Sequence, residues 1–119
     1  MIDILLIEDD SSTIRLVKSF FEFKGLRVRG VLSAINFMEE IRKTKPKVIL
    51  TDIMHPGPDG FTICIEIKSH QEFKQIPVFY FTARPCSEVK RYLEETGANG
   101  CIPKPFSFKD LEFLLNFLK

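Results

Sequence analysis

The sequence predicts an α/β fold: a doubly wound, five-stranded parallel sheet assembled from five βα units. Short apolar runs alternate with longer segments of helical period, as repeated βα units require. The runs are continuous rather than alternating, which is the pattern of strands buried on both faces. Acidic and hydroxyl side chains follow the runs directly, at what become the carboxyl ends of the strands.

The elements follow in order. Ile4 to Ile7 is the first strand and stops at Glu8-Asp9-Asp10. Ser11, Ser12 and Thr13 are expected to cap a helix with Ile14, Val17, Phe20 and Phe21 on one side and Gly25 at its end. Val28 to Val31 is a second, shorter strand, and Ser33 is expected to open a helix bearing Ile35, Met38 and Ile41 that closes at Arg42-Lys43 and Pro46. Val48 to Thr51 runs as a central strand into Asp52, and the turn formers from His55 to Gly60 make a loop before a helix over Phe61 to Ser69. Val78 to Phe81 is a fourth strand ending at Thr82-Ala83, followed by a helix over residues 87 to 96 with Gly97 as its stop. Cys101-Ile102 is a short fifth strand into Pro103-Lys104-Pro105, and a last helix runs from about Phe108 to Leu118.

The 119 residues suit one domain with its own core, to which twelve Phe and no Trp contribute. A net charge of +1 gives no electrostatic reason to bind nucleic acid or anionic lipid. The amino-terminal apolar run is too short and acidic for a signal peptide or membrane span, so a cytoplasmic setting is expected. Cys64, Cys86 and Cys101 form no CxxC pair and cannot all be joined within the chain, so neither a disulfide framework nor a zinc site is expected, and a reducing environment fits. Cys86, at a helix start, is the one with a setting that lowers a thiol pKa.

Glu8 and Asp9 after the first strand, Asp52 after the third, Thr82 after the fourth and Lys104 after the fifth should converge, because open α/β sheets bind ligands at the carboxyl ends of their strands. Clustered carboxylates repel one another unless a cation shares the site, and an all-oxygen, incompletely caged donor set suits Mg²⁺ with retained waters and a phosphate ligand. A hydroxyl and an ammonium added to that set describe phosphoryl transfer.

On Ile4-Leu5-Leu6-Ile7-Glu8-Asp9-Asp10, the segment Leu50-Thr51-Asp52-Ile53-Met54 through Asp59-Gly60, Phe81-Thr82-Ala83 and Lys104-Pro105-Phe106, the chain resembles the receiver domain of two-component response regulators. The likeness covers essentially all of residues 1–119 and is closest in kind to stand-alone, chemotaxis-regulator-like receivers of the flavodoxin-like fold. It implies that Asp52 is the phosphoacceptor, that Glu8 and Asp9 place Mg²⁺ together with Asp52 and the Met54 backbone carbonyl, and that Thr82 and Lys104 hold phosphoryl oxygens. It also implies a cis Lys104-Pro105 bond. Its partners would be a histidine kinase or phosphotransfer protein, and a downstream protein or second copy meeting Phe113 and Phe117 on the last helix. Such a domain accepts a phosphoryl group and assists its own phosphorylation and dephosphorylation; it is not an enzyme with a separate substrate. With no output segment after residue 119 of this sequence, its signal is expected to pass to a partner. Where receivers carry an aromatic switch residue this chain has Cys101, so transmission is expected through Thr82, Ala83 and Arg84 instead.

Two other functions compete. A Mg²⁺-dependent phosphatase with an aspartyl nucleophile needs a second Asp two residues on, where Met54 stands. A flavin carrier needs a hydroxyl- and glycine-rich loop after the first strand, where Glu8-Asp9-Asp10 stands. A degenerate receiver acting only as an interaction module is the remaining alternative.

Overall fold

The computed structural model describes residues 1–54 and 57–118. His55, expected to face solvent, lies outside the described residues. Five strands, β1 (Ile4–Ile7), β2 (Val28–Val31), β3 (Val48–Asp52), β4 (Val78–Thr82) and β5 (Gly100–Pro103), form one parallel sheet in the order β2-β1-β3-β4-β5. The strand order reverses between β1 and β3, which creates a crevice beyond their carboxyl ends. Every residue of β1, β3 and β4 is buried, as their unbroken apolar runs require.

Among the described residues, five helices cover the two faces: α1 (Ser11–Phe23), α2 (Phe37–Thr44), α3 (Gly60–Ser69), α4 (Cys86–Thr96) and α5 (Phe108–Glu112). The period-2 alternation of the strands splits the core between these layers. Ile4, Leu6, Leu50, Phe79, Phe81 and Ile102 face Val17 and Phe21 of α1 and Leu111 and Leu114 of the carboxyl-terminal segment. Leu5, Ile7, Ile49, Val78 and Tyr80 face Ile41 of α2, Ile63 and Ile67 of α3 and Val89 of α4. Tyr80 is fully buried, with its hydroxyl 2.5 Å from Thr96 Oγ1 and its ring edge-on to Phe61, which in turn stacks on Tyr92 of α4. No helix among the described residues is long and apolar enough to cross a membrane.

The structure corrects several local expectations. α1 is capped by Asp10, whose carboxylate accepts from the Ser12 N–H and the Thr13 hydroxyl; the serines themselves lie in the first turn. α2 begins at Phe37, not Ser33, because the Ser33 hydroxyl accepts the Ile35 N–H and holds a turn there. Ile35 is left 69% exposed, and Phe37 and Ile41 supply the buried face. His70, for which the sequence shows no partner, stacks its ring on Phe73 at 4.6 Å.

The last helix is the larger correction. Its α-helical part ends at Glu112, and Phe113–Phe117 winds as a 3₁₀ turn. Three residues per turn place Leu114 and Phe117 on the same side, so Phe117 turns inward and packs its ring 4.9 Å from Phe79. Phe113 stays 46% exposed, edge-on to the same ring. The two side chains therefore do not form one free surface. Phe117→Ala is expected to cost about 2 kcal/mol in denaturant unfolding, and Phe113→Ser clearly less. Equal costs would contradict this packing.

Candidate functional site

Four strands deliver the predicted side chains to one end of the sheet. Glu8 follows β1 and is 1% exposed, while Asp9 beside it is exposed to solvent. Asp52 ends β3, buried beside Phe81 in the strand register. Glu8, Asp9 and Asp52 each offer a carboxylate oxygen, and the three oxygens lie within 4.8 Å of one another. Lys104, just after β5, sends its ammonium into this group, 2.5 Å from Glu8 Oε1 and 3.2 Å from Asp52 Oδ2. The same ammonium sits 4.8 Å from the centre of the Phe81 ring. The Lys104-Pro105 peptide is cis.

Thr82 ends β4, with its hydroxyl accepting the Arg84 N–H at 3.0 Å, so it is tied to the loop that leads into α4. Asp52, Met54, Thr82, Arg84 and Lys104 border one cleft of about 390 Å³. Met54 itself is 77% exposed. Asp10 stands outside the cluster as the α1 cap, and its carboxyl is held below the ordinary value by the hydrogen bonds from Thr13 and Ser12.

The electrostatics follow from burial. Loss of water pushes the Glu8 carboxyl up to about 7, the Asp52 charge adds to the rise, and Lys104 opposes it. Burial also disfavours the Lys104 ammonium, but Glu8 and Asp52 outweigh that effect and hold its pKa above the ordinary value. A buried carboxylate kept partly protonated beside two others is a donor set short of positive charge. An oxygen-only set of this kind fits a hard divalent cation.

Two features of the site were not anticipated. Gly60, the first residue of α3, lies directly against β3: a Cβ there would stand 2.7 Å from the Asp52 carbonyl oxygen. More consequentially, Cys86 and Cys101 are joined as a disulfide, with Cα atoms 5.9 Å apart, against the expectation that the cysteines make no disulfide framework. Cys64 is the free, buried cysteine. The pairing arises because β5 lies beside β4, Cys101 is in register with Tyr80, and α4 starts six residues beyond Tyr80. That adjacency was the only signal in the sequence, since linear spacing alone does not bring the two residues together.

Residues 4–116 match the family model for the response regulator receiver domain. The chain belongs to this family. As a receiver domain of two-component response regulators it has the phosphoacceptor function of that family, and the phosphatase and interaction-module readings are not favoured. This receiver domain is 32% identical over 109 residues to the transcriptional regulatory protein GltR of Pseudomonas aeruginosa, an alignment that covers 91% of the chain and 45% of GltR. The chain spans about half the length of the curated relatives it matches. Its structure is similar to the signal receiver domain of a DNA-binding response regulator from Colwellia psychrerythraea 34H, with TM-score 0.87 and 29% identity over 98% of this chain and 96% of that one. The receiver domain of a sensor histidine kinase from Pseudomonas aeruginosa PAO1, solved with a magnesium ion in its active-site cleft, shares the fold at TM-score 0.84 and 24% identity, covering 98% of this chain and 95% of that one.

Proposed function

We propose that residues 1–119 form one receiver domain in which Asp52 accepts a phosphoryl group from the phosphohistidine of a histidine kinase or phosphotransfer protein. The observation that carries this reading is the Lys104 ammonium held 3.2 Å from Asp52 at the strand-order reversal, beside two further carboxylates. In the transfer, an Asp52 oxygen forms the new O–P bond as the P–N bond to the donor imidazole breaks, and the released imidazole nitrogen takes a proton from solvent. Lys104 is placed to follow the negative charge from Asp52 onto the phosphoryl oxygens. Thr82 offers its hydroxyl proton to the same oxygens, while the hydroxyl oxygen accepts the Arg84 N–H, so the phosphoryl group and the loop into α4 meet at one side chain. Asp9, Asp52 and the Met54 carbonyl, with Glu8 beside them, would hold Mg²⁺, which when bound offsets charge on the transferred group.

In this reading the chain assists only its own phosphorylation and dephosphorylation, works in the cytoplasm where ATP-derived phosphoryl donors arise, and signals through a downstream protein. Phe113 remains as an exposed contact residue of the carboxyl-terminal segment; Phe117 does not. Phosphoramidate with Mg²⁺ tests the acceptor chemistry. The chain should gain one phosphoryl mass, and a chelator should prevent it. An unchanged mass, or a gain indifferent to the chelator, would overturn the proposal. Asp9→Asn should weaken Mg²⁺ binding about tenfold or more by titration, and an unchanged affinity removes Asp9 from the metal set.

Glu8 gives the cluster a pH signature. Between its ordinary 4.5 and about 7, the folded chain keeps a proton on Glu8 that the unfolded chain has lost. Metal-free stability from this group is therefore greatest at low pH and declines as pH rises through that window. A divalent cation displaces the proton, so Mg²⁺ should raise the melting temperature more at about pH 8 than at about pH 5.5. Thermal melts with and without about 10 mM Mg²⁺ check the sign.

A further inference from the structure

We propose that Cys86 and Cys101 form a reversible thiol-disulfide site that, when oxidised, pins the start of α4 to β5 beside the phosphoacceptor cleft. The bond joins the first residue of α4 to a strand residue, and the loop it closes contains the whole of α4. Cys86 lies four residues beyond Thr82, so the cross-link anchors the far end of the short segment that Thr82 holds through Arg84.

Three observations make this a redox site rather than a permanent staple. The two layers of the core are complete without it, with Leu5, Ile49 and Val89 on one side and Leu6, Phe79 and Leu111 on the other fully buried. A domain with that much buried apolar surface does not depend on a disulfide to fold. Both cysteines are only half-buried, within reach of a small thiol, whereas Cys64 is wholly enclosed, with burial raising its thiol pKa and its Sγ 3.4 Å from the Thr96 carbonyl. Finally, the reduced Cys86 thiol opens an eleven-residue helix, where the helix dipole favours the thiolate that both attacks and leaves in disulfide exchange.

The chemistry needs one co-reactant, a low-molecular-weight disulfide. The Cys86 thiolate attacks one of its sulfurs, the S–S bond breaks, and the first small thiolate departs and takes a proton from water. The Cys101 thiol loses its proton to water and attacks Cys86 Sγ, expelling the second small thiolate. Two protein thiols lose two electrons in total, and one small disulfide gains them. A small dithiol reverses the sequence. The bonded site ties α4 to the sheet at the place where the loop after Thr82 must move; this effect on signalling rests on the phosphoacceptor reading, while the redox step does not.

The test equilibrates the full chain in buffers of oxidised and reduced glutathione, quenches with an alkylating agent in denaturant, and reads intact mass. Oxidising buffer should give one alkylated cysteine, Cys64, and reducing buffer three. Three alkylated cysteines in both, a bond that includes Cys64, or a bond that reducing buffer does not open overturns the redox site. Amide exchange over residues 83–92 should be about tenfold slower in the oxidised form, and Cys101→Ala should show the reduced pattern in both buffers. Equal exchange in the two forms of the native chain overturns the pinning. Phosphoramidate with Mg²⁺ is then added to each form. The exchange change over 83–92 caused by phosphorylation should be smaller when oxidised, and equal changes overturn the coupling. If neither form gains a phosphoryl mass, it is the phosphoacceptor reading that fails, and the redox-dependent mass and exchange stand by themselves.

Discussion

Asp52→Asn should take up no phosphoryl group from phosphoramidate and Mg²⁺, or do so at least about a hundredfold more slowly than the native chain. The Asn amide nitrogen has its lone pair delocalised into the carbonyl, and its oxygen carries no full charge, so neither atom replaces the carboxylate as nucleophile. The loss should come without unfolding. Lys104 keeps its ion pair with Glu8, and Glu8 is relieved of a neighbouring charge that raises its pKa. The melting temperature of the metal-free variant should therefore match or exceed that of the native chain. Intact mass measured beside a thermal melt separates the two effects, and a variant that still gains the phosphoryl mass would move the acceptor to another side chain.

Gly60→Ala is expected to lower both stability and the phosphorylation rate. Its new Cβ would stand 2.7 Å from the Asp52 carbonyl oxygen and 2.9 Å from Ile53 Cα, both backbone atoms that cannot swing aside. The Gly60 N–H also donates to the Ile53 carbonyl at 2.8 Å, so α3 cannot retreat without breaking that bond. Overpacking of this kind costs about 1–3 kcal/mol, or roughly 4–12 °C in melting temperature for a chain of this size. Because the collision falls on the residue that carries the acceptor, the phosphorylation rate should fall as well. Gly25→Ala is the contrasting case, with nothing within 4 Å of its Cβ but a φ of +83°. It should cost about 1 kcal/mol through backbone strain and leave the phosphorylation rate unchanged. A Gly60→Ala chain that melts like the native one would refute the close approach.

The parts of the molecule legible in the sequence are those governed by local pattern. β1, β3 and β4 are unbroken apolar runs because both faces of each are covered, and the polar residues that end them are at the reactive edge for the same reason. Glu8, Asp52, Thr82 and Lys104 could thus be placed near one another from parallel topology alone. What escaped depends on competition or on contact between distant parts. The Ser33 hydroxyl captures a backbone N–H that a helix start would otherwise use, and no periodicity in Ile35, Met38 and Ile41 reveals it. Phe117 turns inward only because the last segment tightens from 3.6 to 3 residues per turn. The bond between Cys86 and Cys101 depends on β5 lying beside β4 and on where α4 begins.

The aromatic stack behind α4 provides the chain with its own optical probe. With two Tyr and no Trp, emission excited at wavelengths too long for Phe to absorb comes from Tyr80 and Tyr92. Tyr80 is fixed in the sheet, its phenol hydrogen-bonded to Thr96 and kept in the neutral form by burial, while Tyr92 rides on α4. Phe61 lies between them, 5.1 Å from the first ring and 4.6 Å from the second. Any displacement of α4 changes the environment of Tyr92, and at the end of the same helix it also changes the Thr96 hydroxyl that Tyr80 meets, so both rings report on the helix. The position of that helix can therefore be followed by tyrosine fluorescence in the unlabelled, unmutated protein, in real time, as phosphoryl donor or reductant is added.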